Sequence, residues 1–254
     1  MKRAVLLLSV LCCGPLRAAE PPATARHADV QAMQVARDSL AASHGGGLIA
    51  MTLVEQLEYR SNEGDPGVAW DAQGWVGTDL HRFWWKTEGE AVFEDSGPEH
   101  FELQALYGRA VLPFWDVQLG MRHDVDPDPS RTYLVAGMHG VAPYWFEIDG
   151  ALFLSNRGDV SARLEATYEL RLTQRLQLEP SVELNGAFSA DAAIGVGSGL
   201  SSVETGLRLR YEIVPEFAPY VGVSWTKVLG NSADYLEDED PSRVSFVAGL
   251  RFWF

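Results

Sequence analysis

Residues 160–171 read VSARLEATYELR, with Val160, Ala162, Leu164, Ala166, Tyr168 and Leu170 alternating against Ser161, Arg163, Glu165, Thr167, Glu169 and Arg171. A helix would mix these two sets around its circumference, whereas an extended strand sends them to opposite faces. The next stretch repeats the pattern. Leu176, Leu178, Val182, Leu184 and Phe188 alternate against Gln177, Glu179, Ser181, Glu183 and Asn185. Each stretch therefore predicts a strand with one apolar and one charged face.

The same period of two continues outward in both directions. It gives about twelve segments, near 51–60, 68–78, 81–90, 99–111, 114–124, 131–141, 144–155, 160–172, 175–188, 200–213, 217–228 and 243–254. Strands of ten residues are long for a soluble sheet. Tilted strands of about 9–11 residues in even number are what an outer-membrane barrel uses. The connections alternate as well. Tight turns are expected at Asp79-Leu80, Leu112-Pro113, Ala142-Pro143, Thr173-Gln174 and Pro215-Glu216, with longer acidic or glycine-rich loops at 94–99, 189–199 and 230–242. That asymmetry predicts short periplasmic turns, longer external loops and both termini in the periplasm.

The last segment carries Val244, Phe246, Ala248, Leu250, Phe252 and Phe254 on one face, so the chain ends on an aromatic residue. Such an ending resembles the signal read by the barrel-assembly machinery, an expected partner during insertion. Clusters such as Phe83-Trp84-Trp85 and Tyr144-Trp145-Phe146 suit interfacial girdles, and they suit the interior of any β protein equally. The fold expected is all-β: a transmembrane antiparallel β-barrel of about twelve strands over 48–254, in contact with outer-membrane lipid, behind a short flexible tail.

The start of the chain sets the compartment. Met1-Lys2-Arg3, an apolar run from Ala4 to Cys13 and then Arg17-Ala18-Ala19 read as a secretory leader over 1–19. The run is too short to span a bilayer as a helix, which takes roughly 20 apolar residues. Cys12 and Cys13 both lie within it, and Leu11 stands where a lipoprotein signal wants a small residue. Without the leader no cysteine remains, which excludes disulfides, thiolate metal sites and cysteine nucleophiles. Residues 20–47, Ala-rich and ending in Gly45-Gly46-Gly47, read as a flexible periplasmic tail with one helical stretch around 30–42.

The formal charge is −15. Loss of the leader's Lys2, Arg3 and Arg17 takes it to about −18, a field that attracts cations and repels phosphate backbones. Nucleic acid is therefore not an expected partner. On the strands, Arg82, Lys86, Glu102, Arg122, Asp149, Arg163, Glu183, Arg208 and Arg251 are among the charges assigned to the lumen. Both signs facing a narrow interior would pair across it, so a filled barrel is expected rather than a wide pore.

Enzyme chemistry finds little support. Residues 195–199, GVGSG, lack the helix that a phosphate loop needs, and Val196 occupies the glycine position of a nucleophile elbow. Asp124, Asp126 and Asp128 have calcium-loop spacing, but Pro129 and Val135 stand where glycine and a bidentate Glu belong. For metals, His and Met remain. Imidazole suits copper in either oxidation state and thioether suits Cu(I). Met121 with His123, and Met138 beside His139 on the neighbouring strand, are the candidate ligands; the alternation also allows them to be lipid-facing. His27, Met33 and His44 are too widely spaced for a preformed site.

Several segments together resemble the copper-resistance protein B family. They are FWWKTEGE (83–90), AVLPFWDVQLGMRHD (110–124), APYWFE (142–147), LEATYELRLTQRLQLEPSVE (164–183), GLRLRYEIVPEFAPYVG (206–222) and the terminal stretch 246–254. The resemblance covers roughly Met51 to the end. It implies an outer-membrane protein that binds copper as a ligand and acts in copper sequestration or export, alongside periplasmic copper oxidases or carriers. Many members carry a Met- and His-rich N-terminal region that is thin here. A general cation channel is the second reading, from acidity, and an outer-membrane hydrolase is the third, without a Ser-His-acid arrangement to support it.

Overall fold

The computed structural model describes residues 30–40, 47–61, 66–93, 98–126, 129–236 and 240–254. The leader, most of the tail with His27 and His44, and Asp128 lie outside the described residues. The expected tail helix is present as α1, Val30–Leu40, which carries Met33 and forms a unit separate from the rest.

From Gly47 onward the chain is one antiparallel sheet closed on itself. Its strands are β1 (Ile49–Arg60), β2 (Gly67–Gly77), β3 (His81–Val92), β4 (Pro98–Leu112), β5 (Trp115–Asp126), β6 (Arg131–Ala142), β7 (Phe146–Ser155), β8 (Val160–Tyr168), β9 (Leu170–Arg171), β10 (Leu176–Ala187), β11 (Gly199–Tyr211), β12 (Phe217–Val228) and β13 (Ser242–Trp253). β8 and β9 both pair with β10 and form one stave interrupted at Glu169, so thirteen strands make twelve staves. Consecutive staves are hydrogen-bonded neighbours, and β13 returns to β1 through pairs such as Leu53 with Trp253 and Tyr59 with Ala248. Closure removes the sheet edge, which lets backbone polar groups lie inside lipid.

The turns alternate as the sequence predicts. β4–β5 and β11–β12 are joined tightly at one end, where Thr52 and Phe254 also exchange backbone hydrogen bonds of 2.9 and 3.0 Å. Longer connections, including 188–198 and 229–241, lie at the other end. The seventh segment differs from expectation in its start. Pro143 closes β6, and Tyr144 and Trp145 both have φ of 68°, so the chain reverses in a single turn and β7 begins only at Phe146.

Outward positions are apolar: Leu119, Met121, Leu134, Leu152, Leu164, Val221 and Phe246 are all exposed, and together they would make an untenable water-facing patch. Inward positions are of two kinds. Along β3–β7, Trp84, Leu106, Tyr133, Val135 and Phe153 pack into an apolar cluster. Around it the lumen is ionic, on these same strands as well as on the others. The Trp84 indole stands against Gly108, where any Cβ would stand only 2.6 Å from the indole nitrogen.

β1 contains the main irregularity. Val54 pairs with Ala72 and Gln56 with Asp71, so Glu55 is an extra residue without an opposite number on β2. This bulge shifts the alternation along β1 by one place. It brings Glu55 as well as Glu58 and Arg60 to the lumen.

Candidate functional site: the charged lumen

Among the described residues, ion pairs gather in three regions of the interior. In the first, Glu58 accepts from Arg208 Nε and Nη2, both at 3.1 Å, from Arg60 Nε at 2.9 Å and from the Tyr220 hydroxyl at 3.0 Å. Arg60 continues to Glu204 at 3.1 Å and Glu90 at 3.3 Å. Glu58 is 1% exposed and Arg208 2%, so the pair is withdrawn from water and satisfied by its own partners.

The second network is centred on Arg163. From β8 it reaches Glu88 on β3 at 2.7 Å, Glu102 on β4 at 3.0 Å and Glu183 on β10 at 3.5 Å. Glu102 also takes Arg122 at 2.7 Å, and Arg122 holds Asp124 at 2.5 Å while its guanidinium lies 4.8 Å from the Phe153 ring centre. A planar, always-charged fork is suited to bridging several carboxylates at once.

The third lies toward the short turns. Arg210 binds Glu169 at 2.5 Å and Glu179 at 2.7 Å, Arg82 binds Asp116 at 2.6 Å, and Lys86 binds Asp149. Asp149 also faces His139, whose Nδ1 is 3.3 Å away but outside hydrogen-bond alignment, and His139 Nε2 is 3.8 Å from Glu147. His139 thus stands between two carboxylates and against the Trp84 ring, 5.5 Å away between ring centres, with Nδ1 lacking a hydrogen-bond partner.

The long-loop end is roofed by residues 188–198. Asp191 accepts a bidentate contact from Arg131, at 2.9 and 3.2 Å, Ser189 donates to Asp159 at 2.9 Å, and Gly197 N donates to Ser232 Oγ at 2.9 Å. The Arg131 hydrogen bond holds the Asp191 carboxyl below its ordinary value, with the Ala193 amide and the Arg131 charge adding to it. Beneath this roof is a cavity of about 350 Å³.

The four candidate metal ligands are divided by the wall. Met121 and Met138 are 54% and 47% exposed on the outer face. His123 is also outward, 2.9 Å from Thr132 Oγ1 of the next strand. His139 alone faces the lumen, opposite Asp116 in the β5–β6 ladder, because neighbours along a strand point to opposite sides. Met138 is four places along the ladder from Met121, pairing with Val117 where Met121 pairs with Leu134. Among the described residues no three His, Asp or Glu side chains converge as a ready-made metal-binding set.

The charges expected inside are on the inner face; Arg171, opposite the buried Gln177 in the β9–β10 ladder, shares that face and is exposed because it stands at the end of its stave. Sequence reasoning passed over Glu55, Glu58, Arg60 and Asp71. The bulge hides Glu58 and Arg60, and its one signal in the sequence is the break in β1 alternation; Asp71 follows the regular alternation of β2.

A closed twelve-stave ring, apolar outside and ionic within, defines an outer-membrane β-barrel. A family model described as "Copper resistance protein B precursor (CopB)" matches residues 48–254, the whole barrel. The Copper resistance protein B homolog of Pseudomonas syringae pv. tomato is 41% identical over 213 residues, 83% of this chain and 72% of that protein. Copper resistance protein B of Escherichia coli is 41% identical over 215 residues, 84% and 72% respectively. The chain belongs to the copper resistance protein B family. Among solved structures, a NanC porin superposes over 80% of this chain and 99% of its own with a TM-score of 0.53 at 14% identity, a likeness of fold alone.

Proposed function

We propose that this protein is an outer-membrane component of copper resistance that binds copper and takes part in its sequestration or export. The observation that carries the reading is the family match over 48–254 together with 41% identity to two proteins named for copper resistance. Copper is cargo in this reading, and the barrel performs no bond-making chemistry. The short turns and both termini face the periplasm, within reach of a periplasmic copper carrier or oxidase.

His139 is the candidate ligand on the lumen side, supported by its unsatisfied Nδ1 and the nearby Asp149 and Glu147. Met121, His123 and Met138 would act, if they bind copper, from the outer face. A neutral imidazole beside carboxylates suits Cu(II), whereas the methionines suit Cu(I).

The test has two arms. Deletion of the gene is expected to lower copper tolerance, with recovery by the wild-type chain. The purified barrel is expected to retain copper above a zinc control, and His139→Ala to reduce that retention more than joint substitution of Met121, His123 and Met138. Unaltered tolerance in the deletion strain would remove the copper reading and leave a general cation-permeable barrel, the alternative that the acidic lumen favours.

A further inference from the structure

Cavities run into one another down the lumen. The mouth cavity shares His100, Arg163 and Asn185 with one of about 230 Å³ below it. That one meets a central cavity of about 70 Å³ at Asp71, Glu88, Arg163 and Glu165. The central cavity in turn shares Glu55, Glu147, Glu165 and Thr167 with one of about 30 Å³.

Seven side chains around the central cavity are carboxylates and two, Lys86 and Arg163, are permanent cations. Both cations are engaged elsewhere, Lys86 by Asp149 and Arg163 by Glu88, Glu102 and Glu183. Among the described residues, no ion pair reaches Glu55, Asp71 or Glu165; Glu55 accepts only the Gln73 amide, at 3.1 Å. These three lie where the cavities join. They occupy the middle of their strands, so the excess charge sits about halfway along the barrel. Three carboxylates in a confined, partly dehydrated space repel one another strongly until a proton or a metal cation comes between them.

A second observation points to a ligand there. Gln118, 1% exposed, lines the same cavity with its amide nitrogen unpartnered, and Gln73 Oε1 is also buried and unpartnered. Buried polar atoms are nearly always satisfied by protein or water, so these two call for a hydrogen-bonding partner within the cavity. Metal-bound water donates hydrogen bonds, which the carboxylates and Gln73 Oε1 accept. Gln118 also accepts once its amide is turned by half a rotation, since which end is oxygen is an assignment. Among the described residues, no three acidic or His side chains converge to chelate a bare ion, so the occupant keeps its coordinated water.

We propose that Glu55, Asp71 and Glu165 form a cation station halfway along the lumen, which holds one divalent cation through its water shell. Oxygen ligands and retained water suit Mn²⁺, Mg²⁺ or Ca²⁺, and hydrated Cu²⁺ would also be held. The station does not depend on copper being the physiological cargo.

The test uses the mature full-length chain folded in detergent and Mn²⁺ as probe, with free hexaaqua ion followed by electron paramagnetic resonance. One Mn²⁺ per chain is expected, with at least tenfold weaker binding in E55Q/D71N/E165Q and unchanged binding in the charge-matched E237Q/D238N/E239Q. Mn²⁺ should raise the thermal midpoint of the wild type and leave that of the lumen variant where it is. Should the triple variant not fold, Glu165→Gln alone makes the same comparison. Wild-type affinity in the lumen variant, or equal loss in both variants, overturns the station.

Discussion

Arg208 on β11 donates two hydrogen bonds, each 3.1 Å, to the carboxylate of Glu58 on β1, across two intervening staves and 150 positions of sequence. Removing one member of a buried pair strands the other in a site built for both. Glu58→Ala is therefore expected to destabilise the barrel by about 3–5 kcal/mol. Replacing both, as Glu58→Leu with Arg208→Met, should restore much of that. Denaturant unfolding from lipid vesicles measures both, and equal losses in the single and double variants would show that the pair contributes nothing as a pair.

Arg163 stands across the lumen between β8, β3, β4 and β10 and divides the mouth cavity from the acidic centre. Arg163→Ala removes both the obstruction and a positive charge. Unitary conductance in planar bilayers is expected to rise, and the reversal potential in a salt gradient to move toward cation selectivity. An unchanged conductance would mean that the path is closed elsewhere.

The indole of Trp84 covers Gly108. Gly108→Ala forces the ring away from its contacts with Trp75 and His139, at centroid distances of 6.2 and 5.5 Å. Overpacking of this kind costs about 1–3 kcal/mol. The tryptophan fluorescence should change with it, whereas Gly158→Ala, with nothing near its Cβ position but a φ of 95°, should leave the emission unaltered.

The roof over the mouth is sensitive to acid through Asp191. Its carboxyl is depressed below the ordinary 3.8, so the Arg131 contact is complete above that pH and is lost as pH falls through the folded value. A spin label at Ala190→Cys is expected to keep its restricted mobility from pH 8 to pH 5 and to gain motion below 3.8. Adding Asp191→Asn should free the label across the whole range. A label equally restricted in that variant would assign the closure to Gly197 and Ser232 instead.

The wall of this protein was readable because its two solvents differ so sharply. Lipid outside and buried charge inside write the period of two into residues 160–171 as plainly as sequence allows, and turn lengths then gave the direction of each stave. The interior was less readable. Alternation says that Arg163 and Arg208 face inward, yet not that one takes Glu88, Glu102 and Glu183 and the other Glu58, since those partners are 20 to 150 positions away. Adjacent Met138 and His139 were bound to face opposite ways, and the sequence contained that fact. Glu58 and Arg60 were obscured for a different reason, because one bulged residue, Glu55, shifts the face of everything after it on β1.

The seam between β1 and β13 also sets an order on assembly. Phe254 bonds to Thr52, and Glu58 finds Arg208 only when the last third of the chain has come round to the first. Until then the carboxylates of β1 and the arginines of β11 are unmatched charges, and entering hydrocarbon in that state is costly. The lumen network thus ties the charges of β1 to those of β11 only when the ring has closed.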